Sequence, residues 1–205
     1  MNKLFKTAIT ILVFLGVANT SYAERITDKQ ELDKLSVFIS NFTEAKMADM
    51  KDTKSFLNEN NSGELVSFGI AHNDINNWQS RFVNNKCPQE TNRSGIESKY
   101  VIESIEKYFG YKLKTLPKKA AYKDAVLKNN CYYIINADGD MVRHAIVSYA
   151  EKQPKNNHIY LAGVTYYPDM EDDAFGGFFT AEVKPVVLNG KKTYHLIKLH
   201  EIDSK

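Results

Sequence analysis

Residues 158–202 read HIYLAGVTYY (158–167), PDMEDDAFG (168–176), GFFTAEVKPVVL (177–188), NGKK (189–192) and TYHLIKLHEI (193–202). The three apolar runs are rich in β-branched and aromatic residues, the composition that fits a pleated, half-buried surface. Asn189-Gly190 between the last two is a hairpin pair that tolerates positive φ. Upstream, CYYIIN (131–136) and MVRHAIVSYA (141–150) have the same character, with Asp138-Gly139 between them and KQPKNN (152–157) after them. Short connections force antiparallel neighbours, so the C-terminal half is expected to form a meander of about five strands.

The N-terminal half has helical periodicity instead. Leu32, Leu35, Phe38, Ile39, Phe42 and Ala45 recur at three- and four-residue steps from Thr27 to about Met50, with Asp28 or Thr27 as N-cap. Ser94-Gly95-Ile96-Glu97 fits a capping box, and the helix behind it is expected to run through Tyr100, Val101, Ile105, Tyr108 and Phe109 to a left-handed cap at Gly110. Between these lie the polar break LNENNSG (57–63), the run ELVSFGIAHNDINNW (64–78), and the loop NNKCPQETNRSG (84–95). The run 64–78 is ambiguous by period and reads as a helical turn leading into an Asn-rich loop. KLKTLPKKAAYKDAVLK (112–128) reads as a linker with one short helix from Lys119 to Leu127 and a solvated lysine face. Helices first and an antiparallel sheet last is the α+β pattern, with the helices packed on the C-terminal meander. NTF2-like and cystatin-like domains share that order, an analogy of fold that supplies no function.

Lys3 and Lys6, the apolar run Ala8–Val17 and Ser21-Tyr22-Ala23 have the layout of a secretory signal, so residues 1–23 are expected to be cleaved and residues 24–205 to form one exported domain, secreted or periplasmic. No apolar stretch after the signal is long enough to cross a membrane. The chain has 27 Lys and Arg against 25 Asp and Glu, and the signal holds two of the lysines, so the remaining charges balance. A neutral domain offers no global attraction for nucleic acid or an anionic membrane. The two cysteines, Cys87 and Cys131, are either a disulfide or two independent thiols. An exported compartment favours the bridge, whose loop is valued at about 4 kcal/mol in the chain-entropy model.

LSVFISNFTEA (35–45), FGIAHNDIN (68–76) and YVIESIEKYFG (100–110) occur in this order. In this helical half the chain resembles a group of small exported bacterial proteins of unknown function that carry F-x-S-N-F-x-E, then H-N-x-I-N, then a helix ending in Y-F-G. The resemblance implies that Ser40, Asn41, Glu44, His72, Asn73 and Asn76 form one polar constellation. Asn41 and Glu44 share a side of the first helix. A Glu44–His72 pair with amide neighbours has the makings of an acid/base site, but no nucleophile or metal motif accompanies it, so the expectation is a buried hydrogen-bond network that docks two segments.

Two acidic stretches raise the question of calcium. NADGD (136–140) has oxygens at alternate positions but lacks the turn glycine and the terminal Glu of a calcium loop, and a tight hairpin accounts for the same letters. Asp169, Glu171, Asp172 and Asp173 crowd one strand connection without an ordered ligand spacing, and read as a solvated link with weak calcium binding as the alternative. The histidines have no zinc spacing, and no phosphate loop, G-x-S-x-G or C-x-x-C is present. The leading expectation is a non-enzymatic module at the cell envelope, monomeric or weakly dimeric, that binds a small ligand or a protein and needs no cofactor. The alternatives are a small hydrolase or lyase using Glu44 and His72, and a calcium-dependent structural or adhesion module.

Overall fold

The computed structural model describes residues 23–47, 57–136, 142–170 and 174–203. In chain order they form β1 (Glu24–Arg25), α1 (Lys29–Glu44), α2 (Ser62–Asn76), β2 (Arg93–Glu97), α3 (Ser98–Phe109), β3 (Lys119–Ala120), β4 (Ala125–Lys128), β5 (Cys131–Ile135), β6 (His144–Lys152), β7 (Ile159–Tyr167), β8 (Ala174–Leu188) and β9 (Lys191–Asp203). Two antiparallel sheets result, one ordered β1-β6-β7-β8-β9 and one ordered β2-β5-β4-β3. The class is α+β, with the helical part N-terminal and the five-stranded sheet built on the C-terminal meander. The expected signal, residues 1–23, lies outside the described residues except for Ala23.

Asp28 caps α1 by accepting the Gln30 N–H at 3.2 Å. The helix buries Leu35, Phe38, Ile39 and Phe42, the apolar stripe expected from the sequence. A second stripe, Ser36, Ser40 and Thr43, meets the edge of β6. Ser36 Oγ accepts the Val147 N–H and Ser40 Oγ accepts the Ala145 N–H, both at 2.9 Å, while Thr43 donates its hydroxyl to the Arg143 carbonyl. β1 closes the other end of the same edge, pairing Glu24 with Lys152 and Arg25 with Glu151, and Ile26 N–H continues to the Ala150 carbonyl at 3.0 Å. An exposed row of strand amides is a liability, and here a helix and a two-residue strand cover it.

Sheet bulges shift the inward alternation. Register breaks lie between Val147 and Tyr149, Thr165 and Tyr166, and Glu182 and Val183. As a result Val147 and Ala150, and likewise Leu196 and Leu199, are buried three residues apart. Bulges of this kind bend strands and increase their twist. The inner face is filled by the protein's own side chains, Leu161, Phe179 and Val183 among them, in one core with α1.

Four local expectations are corrected. Residues 64–78 do not form a single turn: α2 runs to Asn76 and is buried on nearly every side through Leu65, Val66, Phe68, Ile70, Ala71 and His72. A helix apolar all round has no face to reveal its period. Ser94-x-x-Glu97 is not a capping box, because residues 93–97 pair in full register with β5, from Arg93↔Ile135 to Glu97↔Cys131. Ser94 donates to Asn136 Oδ1 at 2.6 Å, and α3 begins at Ser98 with no side-chain cap. CYYIIN is β5 and leaves the meander for the second sheet, so it forms no hairpin with β6; Ala137–Asp140, including Asp138-Gly139, lie outside the described residues. The expected helix at Lys119–Leu127 is instead β3, a 3-10 turn at Tyr122–Asp124, and β4.

That turn is strained. Lys123 and Asp124 both have left-handed backbones, with φ of 44° and 49°. They are held by tertiary contacts: Asp74 Oδ2 takes the Lys123 ammonium at 2.8 Å and the Tyr122 hydroxyl at 2.7 Å, and Arg93 donates to the Asp124 carbonyl at 3.2 Å. Cys87 and Cys131 are joined in a disulfide with a Cα–Cα distance of 5.9 Å, tying the loop before β2 to the start of β5. Gly110 ends α3 in the left-handed conformation, φ 63°, as expected.

α2 and α3 cross in near backbone contact at Gly69, where a Cβ would lie 2.7 Å from Val101 Cγ1 and 2.8 Å from the Val101 carbonyl oxygen. Gly69→Ala is expected to lower the unfolding free energy by about 1–3 kcal/mol through overpacking. Gly63→Ala on the same helix would meet only the Lys119 carbonyl, at 3.8 Å. It is expected to be neutral or to stabilise by up to about 1 kcal/mol through helix propensity. Urea denaturation of the two variants separates the close approach from the propensity.

Candidate functional site

α1, α2 and α3 meet in an aromatic cluster with a polar margin. Phe42 contacts Phe38 at 5.3 Å, Phe68 at 5.0 Å, Phe109 at 5.5 Å and Tyr108 at 5.7 Å between ring centroids. His72 joins it, parallel to Phe68 and edge-on to Tyr108 at 4.7 Å. Around these rings lie most of the polar residues singled out from the sequence. Glu44 Oε2 accepts from Asn76 Nδ2 at 3.1 Å, and the same amide nitrogen is 3.5 Å from His72 Nδ1. Tyr108 donates its hydroxyl to Asn41 Oδ1 at 3.0 Å and accepts from Lys107 Nζ at 3.2 Å.

The constellation is therefore real as a neighbourhood but divided in its contacts. Glu44 and His72 form no ion pair with each other; Asn76 links them. Asn73 turns the other way, donating to the Gly69 carbonyl at 2.7 Å and Ser104 Oγ at 2.8 Å. Ser40 spends its hydroxyl on β6 and on the Ser36 carbonyl at 3.0 Å. Asn41 Nδ2 donates to the Val37 carbonyl at 2.7 Å. His144, a strand residue that the sequence left without a role, brings Nε2 to 3.3 Å from Glu44 Oε1.

Burial sets the chemistry of this seam. Desolvation, with Lys107 adding to it, drives the His72 imidazole down to about 4, so the ring is neutral at physiological pH. Burial, then the Glu44 charge, pushes the Tyr108 phenol up, which keeps it a donor. An acid/base pair needs mutual hydrogen-bond reach and access to a substrate cavity. Glu44 and His72 have neither with each other, and neither lines the groove described next.

A groove of about 900 Å³ lies between α1 and the end of the β8–β9 hairpin. Val37, Phe38, Tyr108, Ile159, Val186 and Tyr194 give it apolar walls. Val37 is 68% exposed and Val187, also in the lining, 65% exposed. Glu31, Asp33, Lys34, Lys107, Lys152 and Lys192 carry the charge. Tyr194 packs edge-on to Phe38 at 5.4 Å and donates its hydroxyl to Glu31, while burial pushes its phenol up. The groove escaped the sequence reading because its lining comes from α1, α3 and four strands. The one local signal was Val37, an apolar residue off the buried stripe of α1.

Of the calcium candidates, Asp169 is exposed just beyond β7, and Glu171, Asp172 and Asp173 lie outside the described residues. Among the described residues no group of three or more His, Cys, Asp or Glu is placed to hold a metal ion. Among them, too, no helix is long and apolar enough to cross a membrane. No protein-family model, curated protein or solved structure matches the chain.

His72 makes stability depend on pH. Its folded pKa, about 4, lies below the ordinary value of 6.5, so the unfolded chain takes up the proton first as pH falls. The His72 contribution is fully present above pH 6.5, declines between there and about pH 4, and then levels off with a loss on the order of 3 kcal/mol. His72→Phe is expected to remove this part of the slope, read from urea midpoints at neutral and acid pH. Ser40→Ala would leave the buried Ala145 N–H without its partner. It is expected to cost about 1–3 kcal/mol in the same assay.

Proposed function

We propose that the protein is an exported, non-enzymatic binding module that holds a small apolar ligand in the groove between α1 and the β8–β9 hairpin. The observation that carries this reading is the groove's lining: valines left bare at 68% and 65% exposure beside aromatic walls, in a volume of about 900 Å³. Ligand sites are concave and mostly apolar with a few polar groups, and occupy about 300–1,000 Å³. Export accords with the signal-like residues 1–23 and with the Cys87–Cys131 bridge. The likeness to small exported bacterial proteins fits the same picture. Its three motifs supply Phe38 and Tyr108, which line the groove, and Phe42, His72 and Phe109, which pack the helices together beside them. The protein acts alone or as a weak dimer at the cell envelope, with no cofactor.

The test is saturable binding of the uncharged fluorophore N-phenyl-1-naphthylamine. The native protein is expected to enhance its emission at a single site. The double variant Val37→Asp/Val187→Asp, at exposed positions, is expected to abolish the enhancement with stability lowered by about 1 kcal/mol. Enhancement that survives both substitutions, or none in the parent protein, removes the reading.

A further inference from the structure

We infer that the groove takes a single-chain anionic amphiphile, an alkyl carboxylate, whose headgroup is met by the Lys107 ammonium. This rests on the groove being the ligand site. The walls supply the place for an alkyl chain: Val37 and Phe38 on α1 line the groove together with Val186 and Val187 near the end of β8. The charges supply the sign. Four lysines and two acids line the groove in a chain whose charges otherwise balance once residues 1–23 are set aside.

The pairing makes the imbalance sharper. Glu31 is already engaged by Lys34, at 3.5 Å, and by the Tyr194 hydroxyl. Lys107, Lys152 and Lys192 pair with no carboxylate among the described residues, and Asp33 is the one lining acid without a cation. An apolar wall strengthens the field of such charges, because low dielectric screens them less than water does. A cationic amphiphile would be repelled by the same three ammoniums.

Lys107 is the best placed of the three. It sits in the last turn of α3, and its ammonium lies 4.6 Å from the Tyr108 ring centroid while donating to the Tyr108 hydroxyl at 3.2 Å. Partial desolvation holds its pKa below the ordinary lysine value, a cost that a bound anion would offset. Its remaining N–H donors suit a carboxylate. No arginine is among the lining residues, so the planar fork that favours phosphate is lacking.

The experiment displaces N-phenyl-1-naphthylamine from the full chain with four twelve-carbon competitors below their aggregation limits: dodecanoate, dodecyl phosphate, dodecanol and dodecyltrimethylammonium. Dodecanoate is expected to compete about tenfold more tightly than dodecanol, the worth of one charge-assisted hydrogen bond, with the ammonium weakest. Lys107→Met is expected to bring dodecanoate to within about twofold of dodecanol without weakening dodecanol, and Lys107→Arg to restore most of the preference. Equal competition by dodecanoate and dodecanol overturns the headgroup assignment and leaves the groove reading standing. A preference for dodecyl phosphate overturns the carboxylate. A carboxylate preference that survives Lys107→Met overturns the role of Lys107. Failure of every competitor in a protein that still binds the fluorophore overturns the amphiphile. Failure of the fluorophore itself removes the groove reading beneath it.

Discussion

A sheet edge must be finished, and in this protein the edge of β6 is finished by a helix. Backbone amides removed from water without a partner cost about 1–3 kcal/mol each, so the unpaired N–H groups of Ala145 and Val147 dictate where α1 can lie. Ser36 and Ser40 meet them one helical turn apart, and Thr43 reaches the Arg143 carbonyl. With that stripe committed to the edge, Leu35, Ile39 and Phe42 turn into the core, Phe38 meets Tyr194, and Val37 is left bare. The groove is a by-product of this docking: the side of α1 that neither the edge nor the core uses faces the β8–β9 hairpin.

The polar seam among the helices is built from contacts that join one element to another. Glu44, His72 and Asn76 converge there, while Asn73 points to another side of α2. Asn73 bonds the α2 backbone to Ser104 of α3, and Asn76 bridges Glu44 of α1 to His72 of α2. A neutral imidazole stacked on Phe68 fits such a site better than a charged one would. Within the aromatic cluster, hydrogen-bonded polar groups favour one relative placement of three helices where apolar contacts alone would tolerate several.

What could be read from the sequence was what depends on near neighbours. The Asp28 cap, the stripe of α1, the Gly110 cap and the runs that became β6 to β9 rest on local chemistry, and so does the Asn189-Gly190 turn, where both residues have positive φ, 50° and 75°. What stayed hidden depends on distant partners. Ser94 and Glu97 have the letters of a helix cap, but pairing with β5 some forty residues on decides their conformation. α2 gave no period because it is enclosed on nearly all sides. β5 has the composition of its meander neighbours, and composition cannot say which of two sheets a strand joins. Of the polar residues singled out in the helical half, Asn76 contacts both Glu44 and His72, and Asn73 points elsewhere. The groove, assembled from side chains far apart in the chain, had no motif to announce it.

The turn at Tyr122–Asp124 divides the smaller sheet into two parts of unequal permanence. Two successive left-handed residues without glycine store backbone strain, of about 1–3 kcal/mol each, and Asp74 on α2 and Arg93 on β2 hold them there. When the end of α2 loosens, the restraint on that corner goes with it, and β3 and β4 can relax outward downhill. β5, by contrast, is anchored to the 84–92 loop through Cys131 and Cys87 and keeps β2 beside it. The sheet thus behaves as a fixed leaf and a sprung one, and the earliest excursions from the native state should open along the β4–β5 seam.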